Sequence, residues 1–405
     1  MKQVFAILAF MWILTLNSQS INNFFDLGME NLNKKQYQAA IAEFDKVCAK
    51  DPFYQEAFYG RALAYFGLAD YNKVVEDCSA AIKAKNDYFE AYILKSDANL
   101  KLNKKKEALK DLESIVTIKP TYTAAWEKMG SLYYGEKNFS KARETIDKAI
   151  GLNSKLSETY FLSGEMYFME EKFDLAKDHY KKASEFDKTN ASAFYQYALC
   201  CNKTDDFTGA EKALGSAITL GNNENAVLLR AEVRLKLKNY QGSVDDFAAY
   251  IIKTKTKDPE VYHNKGLAYS NLNKHDLAIK EYSKAIMYNR EFFKSYYERA
   301  VSYSSMGAAK ETMAMRDFTK ALEINPNCGE AYHKRGKFYF EKGKFSEAID
   351  DFTKALKNIQ DAEIYYLRGA SFHALDNTKK ACEDLKKAAD LGHQKAAEDK
   401  LRICH

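Results

Sequence analysis

A segment of about 34 residues recurs along the chain from about residue 21 onward. Its clearest mark is a small side chain that returns at the same place in every segment, first at 34-residue intervals and then with slips of one or two residues. Self-similarity at this period predicts an array of small structural units that form a core by stacking on their neighbours. The recurring small positions are Gly28, Ala62, Ser96, Gly130, Gly164, Ala198, Ala231, Gly266, Ala300, Gly336 and Gly369.

Within each segment the apolar residues fall into two runs at helical spacing, which predicts a pair of helices per unit. A second small position recurs in the second run, from Ala40 to Ala381, with Val74 as an exception. Two antiparallel helices approach closely only where their side chains are small, so we expect these positions to mark the helix crossings. Four prolines fall at the joints between segments, where the preceding helix must end: Pro52, Pro120, Pro259 and Pro326.

Composition fits an elongated repeat array. The chain has 405 residues, too many for one ordinary globular core, and only 4 prolines and 18 glycines, which favours long helices with short joints. The 61 Lys and Arg residues nearly balance 56 Asp and Glu residues and are spread along the whole chain. This distribution is typical of solvated helix surfaces and argues against a nucleic-acid-binding face, which requires clustered basic charge.

Together these features resemble the tetratricopeptide repeat (TPR), a helix–turn–helix unit with small residues at fixed positions and aromatic residues between them. The resemblance implies an all-α fold, a right-handed superhelical solenoid of helix–turn–helix repeats with a C-terminal capping helix. It assigns eleven tandem units to residues 21–395 and the end of the capping helix to residues 396–405. The units begin near Ile21, Gln55, Phe89, Thr123, Ser157, Ala191, Glu224, Pro259, Phe293, Gly329 and Ala362.

The first 20 residues differ from the repeats. Lys2 is followed by the apolar run from Val4 to Leu16 and then by a short polar stretch, a layout typical of a secretory signal peptide cleaved after Ser18 or Ser20. The run of about 13 residues is shorter than the roughly 17–25 that a spanning helix needs, so a retained anchor is the less favoured alternative. We therefore expect an exported protein, periplasmic, associated with the cell envelope or extracellular, with no membrane span after signal removal.

One pair among the seven cysteines stands out. A turn predicted near Gly392 lies 10 residues after Cys382 and 12 residues before Cys404, so an antiparallel helix hairpin places these two cysteines opposite one another. In an exported protein the pair would form a disulfide that staples the terminal cap, and the alternative is two unpaired thiols on a packed helix interface. Three other cysteines fall at or near core positions and are predicted to be buried thiols: Cys48, Cys78 and Cys201.

Three local features depart from the regular pattern. The ninth unit carries about two extra residues around Met306 to Lys310. In the seventh unit Arg234 stands where an aromatic residue is usual, which predicts loose local packing. In the last helix, Leu401 and Ile403 are expected to pack back on the eleventh unit.

By resemblance to the family, the functional surface is the concave groove lined mainly by the first helix of each unit. Its recurring aromatic residues and glutamates suit an apolar helix or an extended segment with basic side chains, although the same residues are also ordinary for the repeat. His263 and His333 occupy one place in their units and are expected at the surface or in contact with a ligand. The predicted partner-binding residues are Tyr59, Phe66, Tyr134, Phe161, Phe168, Tyr195, Tyr297, His333, Phe340 and Tyr366.

One binding mode of the family is missing from this sequence. Members that bind chaperone tails clamp a terminal carboxylate with a Lys and an Asn one turn apart in the first helix. The corresponding residues of the first unit are Phe25 and Met29, and those of the second unit are Tyr59 and Leu63. We therefore do not expect these units to bind a chaperone tail.

The sequence contains no glycine-rich phosphate loop, no paired histidine ligands at helical spacing, no Cys-x-x-Cys and no nucleophile elbow. It therefore predicts a non-enzymatic scaffold or adaptor for a protein or peptide partner, with no catalytic residue, metal or cofactor. The alternative is a structural component of a cell-envelope complex, for secretion or motility, that acts through the outer face. An unrecognised enzyme and a lumenal co-chaperone are less favoured, and the partner, the pathway and the oligomeric state stay open.

Overall fold

The structure is a computed structural model that describes residues 20–221 and 223–404. Over these residues the chain is all-α, with 23 α-helices, one short 3₁₀ helix and no strand, which confirms the predicted fold class of paired helices. The signal peptide predicted for residues 1–20 lies outside the described residues, apart from its last position.

The chain divides into two compact units, with the division between Ala193 and Phe194. The N-terminal unit contains helices α1 (20–33), α2 (Tyr37–Lys50), α3 (Gln55–Gly67), α4 (Tyr71–Ala84), α5 (Phe89–Lys101), α6 (Lys105–Ile118), α7 (Thr123–Gly135), α8 (Phe139–Gly151), α9 (Ser157–Met169) and α10 (Phe173–Phe186). Helix α11 (Ala191–Lys203) begins just before the division and lies mostly in the C-terminal unit.

The C-terminal unit continues with α12 (Phe207–Leu220), α13 (Glu224–Lys236), α14 (Tyr240–Thr254), α15 (Pro259–Asn271), α16 (His275–Tyr288), α17 (Phe293–Ser305), α18 (Glu311–Ile324), α19 (Gly329–Glu341), α20 (Phe345–Ala355), α21 (Ala362–Ala374), α22 (Thr378–Asp390) and α23 (Gln394–Ile403). A 3₁₀ helix at Ala308–Lys310 separates α17 from α18.

The helices pair into repeats, in which each odd-numbered helix is the first helix and the following even-numbered helix is the second. Every first helix from α3 to α21 begins at the residue predicted to start its unit. The eleven pairs are consistent with the predicted number of repeats.

A short turn joins the first helix to the second in ten of the eleven pairs, and a 3₁₀ helix lies between the two helices of the ninth pair. One residue of this turn adopts a left-handed backbone conformation, with φ of 59° at Ala69 and 58° at Asn103. The second helix begins directly afterwards, and where Asp or Asn precedes it the side chain caps the helix, as Asp70 does by accepting a hydrogen bond from the backbone N–H of Lys73. The left-handed turn residues are Lys35, Ala69, Asn103, Lys137, Glu171, Asp205, Lys238, Asn273, Gly343 and Asp376.

The recurring small residues lie where a large side chain of the second helix crosses the first. A Cβ atom added at Gly266 would lie 2.5 Å from the ring of Tyr282, and one added at Gly164 would lie 2.8 Å from the ring of Tyr180. Both tyrosines are fully buried. The small residue therefore leaves room for the ring of the second helix. This packing explains why a small residue recurs at this place in every repeat.

An ion pair recurs between the two helices of five of the described repeats. In each case an arginine of the first helix donates from Nε and Nη2 to both carboxylate oxygens of an aspartate in the second helix. For Arg335 and Asp351 these distances are 2.7 and 2.8 Å. The five arginine–aspartate pairs are Arg61–Asp77, Arg230–Asp246, Arg299–Asp317, Arg335–Asp351 and Arg368–Asp384.

The third guanidinium nitrogen, Nη1, links consecutive repeats. Nη1 of Arg335 donates to the Thr319 hydroxyl at 3.1 Å, and Nη1 of Arg299 donates to the Ser283 hydroxyl at 2.8 Å. Both acceptors belong to the second helix of the preceding repeat. Arg299 and Arg335 therefore fix the two helices of their repeats and also couple each repeat to its neighbour.

Helix α23 closes the C-terminal end of the array. A disulfide joins Cys382 of α22 to Cys404, directly after α23, with the Cα atoms 5.6 Å apart. Ile403 packs against the cluster around Leu385, as predicted. The prediction for Leu401 is wrong, because this side chain is 70% exposed and lies on the solvent side of α23.

Two further departures from the regular pattern have structural explanations. Arg234 does not loosen the seventh repeat, because it forms ion pairs with Glu211 at 2.7 Å and with Asp246 at 2.9 Å. The expected loose packing there is therefore wrong. The extra residues of the ninth repeat form the 3₁₀ helix after Gly307, whose φ of 84° suits glycine.

The other cysteines lie in the helical core or at its edge. Cys48, Cys78 and Cys328 are buried, and burial raises the pKa of the Cys48 thiol to about 11. Cys200 and Cys201 are both fully buried, although their adjacent places on α11 predict different sides of the helix. In the described part of the chain no helix is both long enough and apolar enough to cross a bilayer.

Candidate functional site

First helices of consecutive repeats contact one another directly. Within the N-terminal unit α3 contacts α5 and α7 contacts α9, and within the C-terminal unit α13, α15 and α17 follow in series, as do α19 and α21. Each unit therefore presents side chains of neighbouring first helices side by side. We call the surface at the predicted binding residues of these helices the first-helix face.

Four predicted binding residues lie near the end of a first helix: Phe66, Tyr134, Phe168 and Phe340. Each meets edge-on the aromatic residue that begins the second helix of the same repeat. The ring centroids of Phe66 and Tyr71 are 5.4 Å apart, and those of Phe340 and Phe345 are 5.7 Å apart. The same contact joins Tyr134 to Phe139 and Phe168 to Phe173. These four side chains are half-buried, so one side of each ring supports the turn and the other remains accessible.

The other predicted binding residues lie one turn into their first helices. Tyr59 packs against Tyr88, Phe161 against Tyr180, and Tyr297 against Phe318, with centroid distances of 5.3, 5.5 and 6.1 Å. Burial, then the charge of Glu298, raises the pKa of Tyr297 to about 12. Tyr195 of α11 is also half-buried, and burial followed by the charge of Glu232 raises its pKa.

Tyr366 differs from the rest because the capping helix covers it. Its ring stacks on His393 with a centroid distance of 4.4 Å and an interplanar angle of 17°. Its hydroxyl donates to Asp399 of α23 at 3.1 Å. Tyr366 therefore helps to hold the cap, and α23 covers part of this half-buried side chain.

The two histidines of the predicted surface have different environments. His263 is 5% exposed, with Nδ1 3.0 Å from the Ser295 hydroxyl, so its prediction as a surface residue is wrong. Burial, and then the nearby charge of Lys294, lowers its pKa to about 4. His333 is half-buried beside Phe352, and burial lowers its pKa as well. The repeat period places both residues in one series, but only His263 is covered by Phe292 and Ser295 at the start of the next repeat.

Several glutamates that recur beside the aromatic residues have partners within the array. Glu158 accepts a hydrogen bond from the Ser131 hydroxyl at 2.9 Å. Lys294 forms an ion pair with Glu260 at 3.3 Å. Lys337 and Glu363 also form an ion pair, at 2.9 Å. Each of these three contacts joins one first helix to the next. These glutamates therefore align the repeats and are only partly available to a ligand.

Two carboxylates that sequence reasoning missed are in the opposite situation. Glu232 of α13 and Glu298 of α17 are half-buried and have no hydrogen-bond or ion-pair partner among residues 20–221 and 223–404. Burial raises the pKa of both. The sequence holds no signal for this property, because many glutamates recur on the first helices and only the packing shows which of them lack a partner.

A separate open cleft lies between α17 and α18. It has a volume of about 740 Å³ and is lined by Tyr296, Tyr303, Arg316, Lys320 and Tyr339, among others. It contains no catalytic arrangement that we recognise. Within the described residues, no group of three or more His, Cys, Asp or Glu side chains is placed to hold a metal ion.

Sequence comparisons agree with this architecture. A family model described as tetratricopeptide repeat matches residues 89–122, 123–156, 259–292 and 362–391, and a second model with the same description matches residues 329–360. The matched segments coincide with five of the helix pairs. The chain is a tetratricopeptide-repeat protein.

Many proteins match this chain, each at low sequence identity. Hsp70-Hsp90 organizing protein 3 of Arabidopsis thaliana is 23% identical over 273 residues, covering 64% of this chain and 45% of that protein. DnaJ homolog subfamily C member 7 of Homo sapiens is 21% identical over 402 residues, covering 90% and 80%. A solved TPR protein from Parabacteroides merdae is 19% identical with a TM-score of 0.45, covering 61% of this chain and 98% of that one. The chain thus spans less than half of the first of these relatives.

Proposed function

We propose that this TPR protein is a non-enzymatic scaffold that binds a segment of a partner protein on its first-helix face. The observation that carries the proposal is the recurrence of half-buried aromatic rings on consecutive first helices. Tyr134 of α7 is followed by Phe168 of α9, and Tyr297 of α17 is followed by Phe340 of α19. Such rings offer a large contact area and lose little conformational freedom when a partner binds. A helix or an extended segment that crosses several repeats would contact several rings at once.

Chaperone tails are not the partner that we propose. Hsp70-Hsp90 organizing protein 3 is named for two chaperones, but the similarity is only 23% identity over part of that protein. In this chain the first-repeat positions of the carboxylate clamp hold Phe25 and Met29, which supply no positive charge and no amide donor. An apolar or basic segment fits the aromatic and acidic face better than a terminal carboxylate does.

We also propose that the protein is exported. Two features support this: the apolar run from Val4 to Leu16 in the sequence, and the disulfide between Cys382 and Cys404. Structural disulfides persist mainly in oxidising compartments such as the periplasm, the cell surface and the extracellular space. Cell fractionation of the native host, with thiol labelling before lysis, tests the proposal. A reduced Cys382 in a cytoplasmic fraction would contradict it.

A comparison of two surface variants tests the binding proposal. In the first variant Phe161, Phe168 and Tyr195 become Ala. In the second, three exposed second-helix residues, Leu175, Leu220 and Met287, become Ala. We expect partners captured from native extract by the parent to be lost by the first variant and kept by the second. Circular dichroism must show equal helix content, because the first set also packs within the repeats.

The cleft between α17 and α18 supports a second candidate function, assembly into a larger complex through the outer face. Its lining combines Tyr296 and Tyr339 with the basic side chains of Arg316 and Lys320, a composition suited to protein contacts. Capture that is lost in an Arg316→Ala and Tyr296→Ala variant, but kept by the first-helix variant, would favour this function.

A further inference from the structure

The cleft between α17 and α18 contains one charge that the chain does not neutralise. Arg299 donates to both carboxylate oxygens of Asp317, at 2.7 and 2.9 Å. Lys320 forms an ion pair with Glu323 at 2.8 Å. Arg316 is the remaining charged residue of the lining, and among the described residues its guanidinium has no hydrogen-bond or ion-pair partner. The cleft is therefore positively charged through this one side chain.

At the place of Arg316 the other repeats with the arginine–aspartate pair carry the opposite charge. In all five of these repeats the ion pair fixes the register of the second helix, so the residues directly before the aspartates occupy equivalent places. In the other four repeats this residue is acidic: Glu76, Asp245, Asp350 and Glu383. Among these five repeats, a positive charge at this place therefore occurs only in the repeat that lines the cleft.

Hydroxyl donors and apolar surface line the same cleft. The hydroxyls of Tyr296, Tyr303 and Tyr339 make no hydrogen bond to any residue that the structure describes. Met313 lies one turn before Arg316 on α18 and is 47% exposed. A phenol hydroxyl can donate to an anionic oxygen, while aromatic rings and a thioether offer apolar contact beside it. The cleft thus combines a cation, three hydroxyl donors and an apolar wall.

The dimensions of the cleft suit a short stretch of polypeptide. Tyr296 and Tyr303 are seven residues apart on α17, so the cleft extends about 10 Å along this helix. That length accommodates about three residues of an extended segment, at about 3.3 Å each. The cleft is open to solvent, whereas sites for small molecules enclose most of the ligand surface. A segment of a larger molecule therefore fits it better than a small molecule does.

We propose that the cleft binds an acidic segment of a partner protein, with an aspartate or glutamate side chain of that segment on Arg316. The guanidinium would donate two hydrogen bonds to the carboxylate, the tyrosine hydroxyls would donate further ones, and an adjacent apolar side chain would contact Met313. This inference rests on the second candidate function, assembly through this cleft, and it assigns a charge to the partner. A nucleic acid requires several unpaired basic groups along its backbone, and the cleft offers one.

Selection from a random library of 12-residue peptides displayed on their own mRNA tests the inference. The bait is the full chain, both as the parent and as the variant with Phe161, Phe168 and Tyr195 replaced by Ala. We expect peptides that bind both forms equally and carry Asp or Glu at one fixed place. Arg316→Gln should weaken them about tenfold, and changing the acidic residue to its amide should weaken binding to the parent as much but to Arg316→Gln little further. The matched control is Arg290→Gln, which removes the same charge from an exposed arginine outside the cleft.

The outcomes separate this inference from the proposed binding on the first-helix face. Peptides that carry no acidic residue, that bind Arg316→Gln as tightly as the parent, or that lose as much affinity for Arg290→Gln would overturn the inference. Failure to select any peptide that binds the first-helix variant would also overturn it, whereas peptides that need the first-helix aromatics would still support the proposed function. Thermal unfolding provides the folding control, since Arg316→Gln should keep the midpoint of the parent. The amide change in the peptide leaves the chain itself unaltered.

Discussion

Arg335 of α19 and Asp351 of α20 form a bidentate ion pair, with both N–O distances below 3 Å: Nε and Nη2 lie 2.7 and 2.8 Å from the two carboxylate oxygens. Asp351 is only 2% exposed, and Nη1 of Arg335 also reaches Thr319 of the preceding repeat. One side chain thus joins three helices. The same arrangement recurs at Arg299 and Arg368 of the C-terminal unit.

Replacing Arg335 with Met should destabilise the C-terminal unit by about 3 kcal/mol, because it leaves the buried Asp351 carboxylate without its counter-charge. The measurement is urea unfolding followed by circular dichroism. As a control, Lys320→Met removes an exposed ion pair with Glu323 and should change the free energy of unfolding little. Equal effects of the two substitutions would show that the arginine–aspartate pair does not contribute as argued.

Adding one methyl group to a glycine should have opposite effects at two places in the C-terminal unit. Gly266→Ala should lower the free energy of unfolding by about 1–3 kcal/mol, because the new Cβ would lie 2.5 Å from the buried ring of Tyr282. Gly215→Ala, within α12, meets no atom within 4 Å and should raise it by about 0.5–1 kcal/mol through helix propensity. Denaturant unfolding of both variants measures the difference, and a stabilising Gly266→Ala would contradict the account of the helix crossing.

Reduction of the disulfide should loosen the cap. Cys382 and Cys404 are 22 residues apart, and closing a loop of that length stabilises a folded chain by about 3 kcal/mol. Replacing both with Ser should therefore accelerate amide hydrogen exchange in α23 and expose Tyr366, while α19 and α20 stay protected. Unchanged exchange in α23 would mean that the contacts of Ile403 and Tyr366 hold the cap without the covalent bond.

Acid should destabilise the chain partly through His263. Its pKa in the folded state, about 4, is below the ordinary value of 6.5, so the unfolded chain takes up a proton first as the pH falls. The stability that depends on neutral His263 is complete above pH 6.5 and is lost toward pH 4, by about 3 kcal/mol. His263→Phe should flatten the dependence of the unfolding free energy on pH in this window. A His263→Phe variant with the same dependence on pH as the parent would contradict this assignment.

The sequence predicts the helix pairs well because the repeat period is carried by side-chain size. Gly266 and Gly336 must be small because a ring of the second helix crosses at each of them. The small residue therefore marks the register of its repeat, and the first helices begin where that register predicts. The arginine–aspartate pairs were also within reach of sequence reasoning. Arg61 and Asp77 are separated by 16 residues, and so are Arg335 and Asp351.

The environment of single side chains was predicted less well. Burial of His263 and exposure of Leu401 depend on which neighbours cover a given place, and Phe292 and Ser295 cover His263 from the next repeat. Arg234 was expected to loosen its repeat because an aromatic residue is usual there. Its ion pairs depend on Glu211 in one repeat and Asp246 in another, and a pattern within one repeat cannot show them.

Site-specific photocrosslinking tests the central claim, that a partner binds on the first-helix face. Benzoylphenylalanine replaces Tyr297 of the first helix α17 in one variant and Met287, a 63% exposed residue of the second helix α16, in the other. In native extract we expect the first variant to form an adduct with a partner protein and the second to form none. An adduct at position 287 without one at position 297, or no adduct at position 297, would contradict the account.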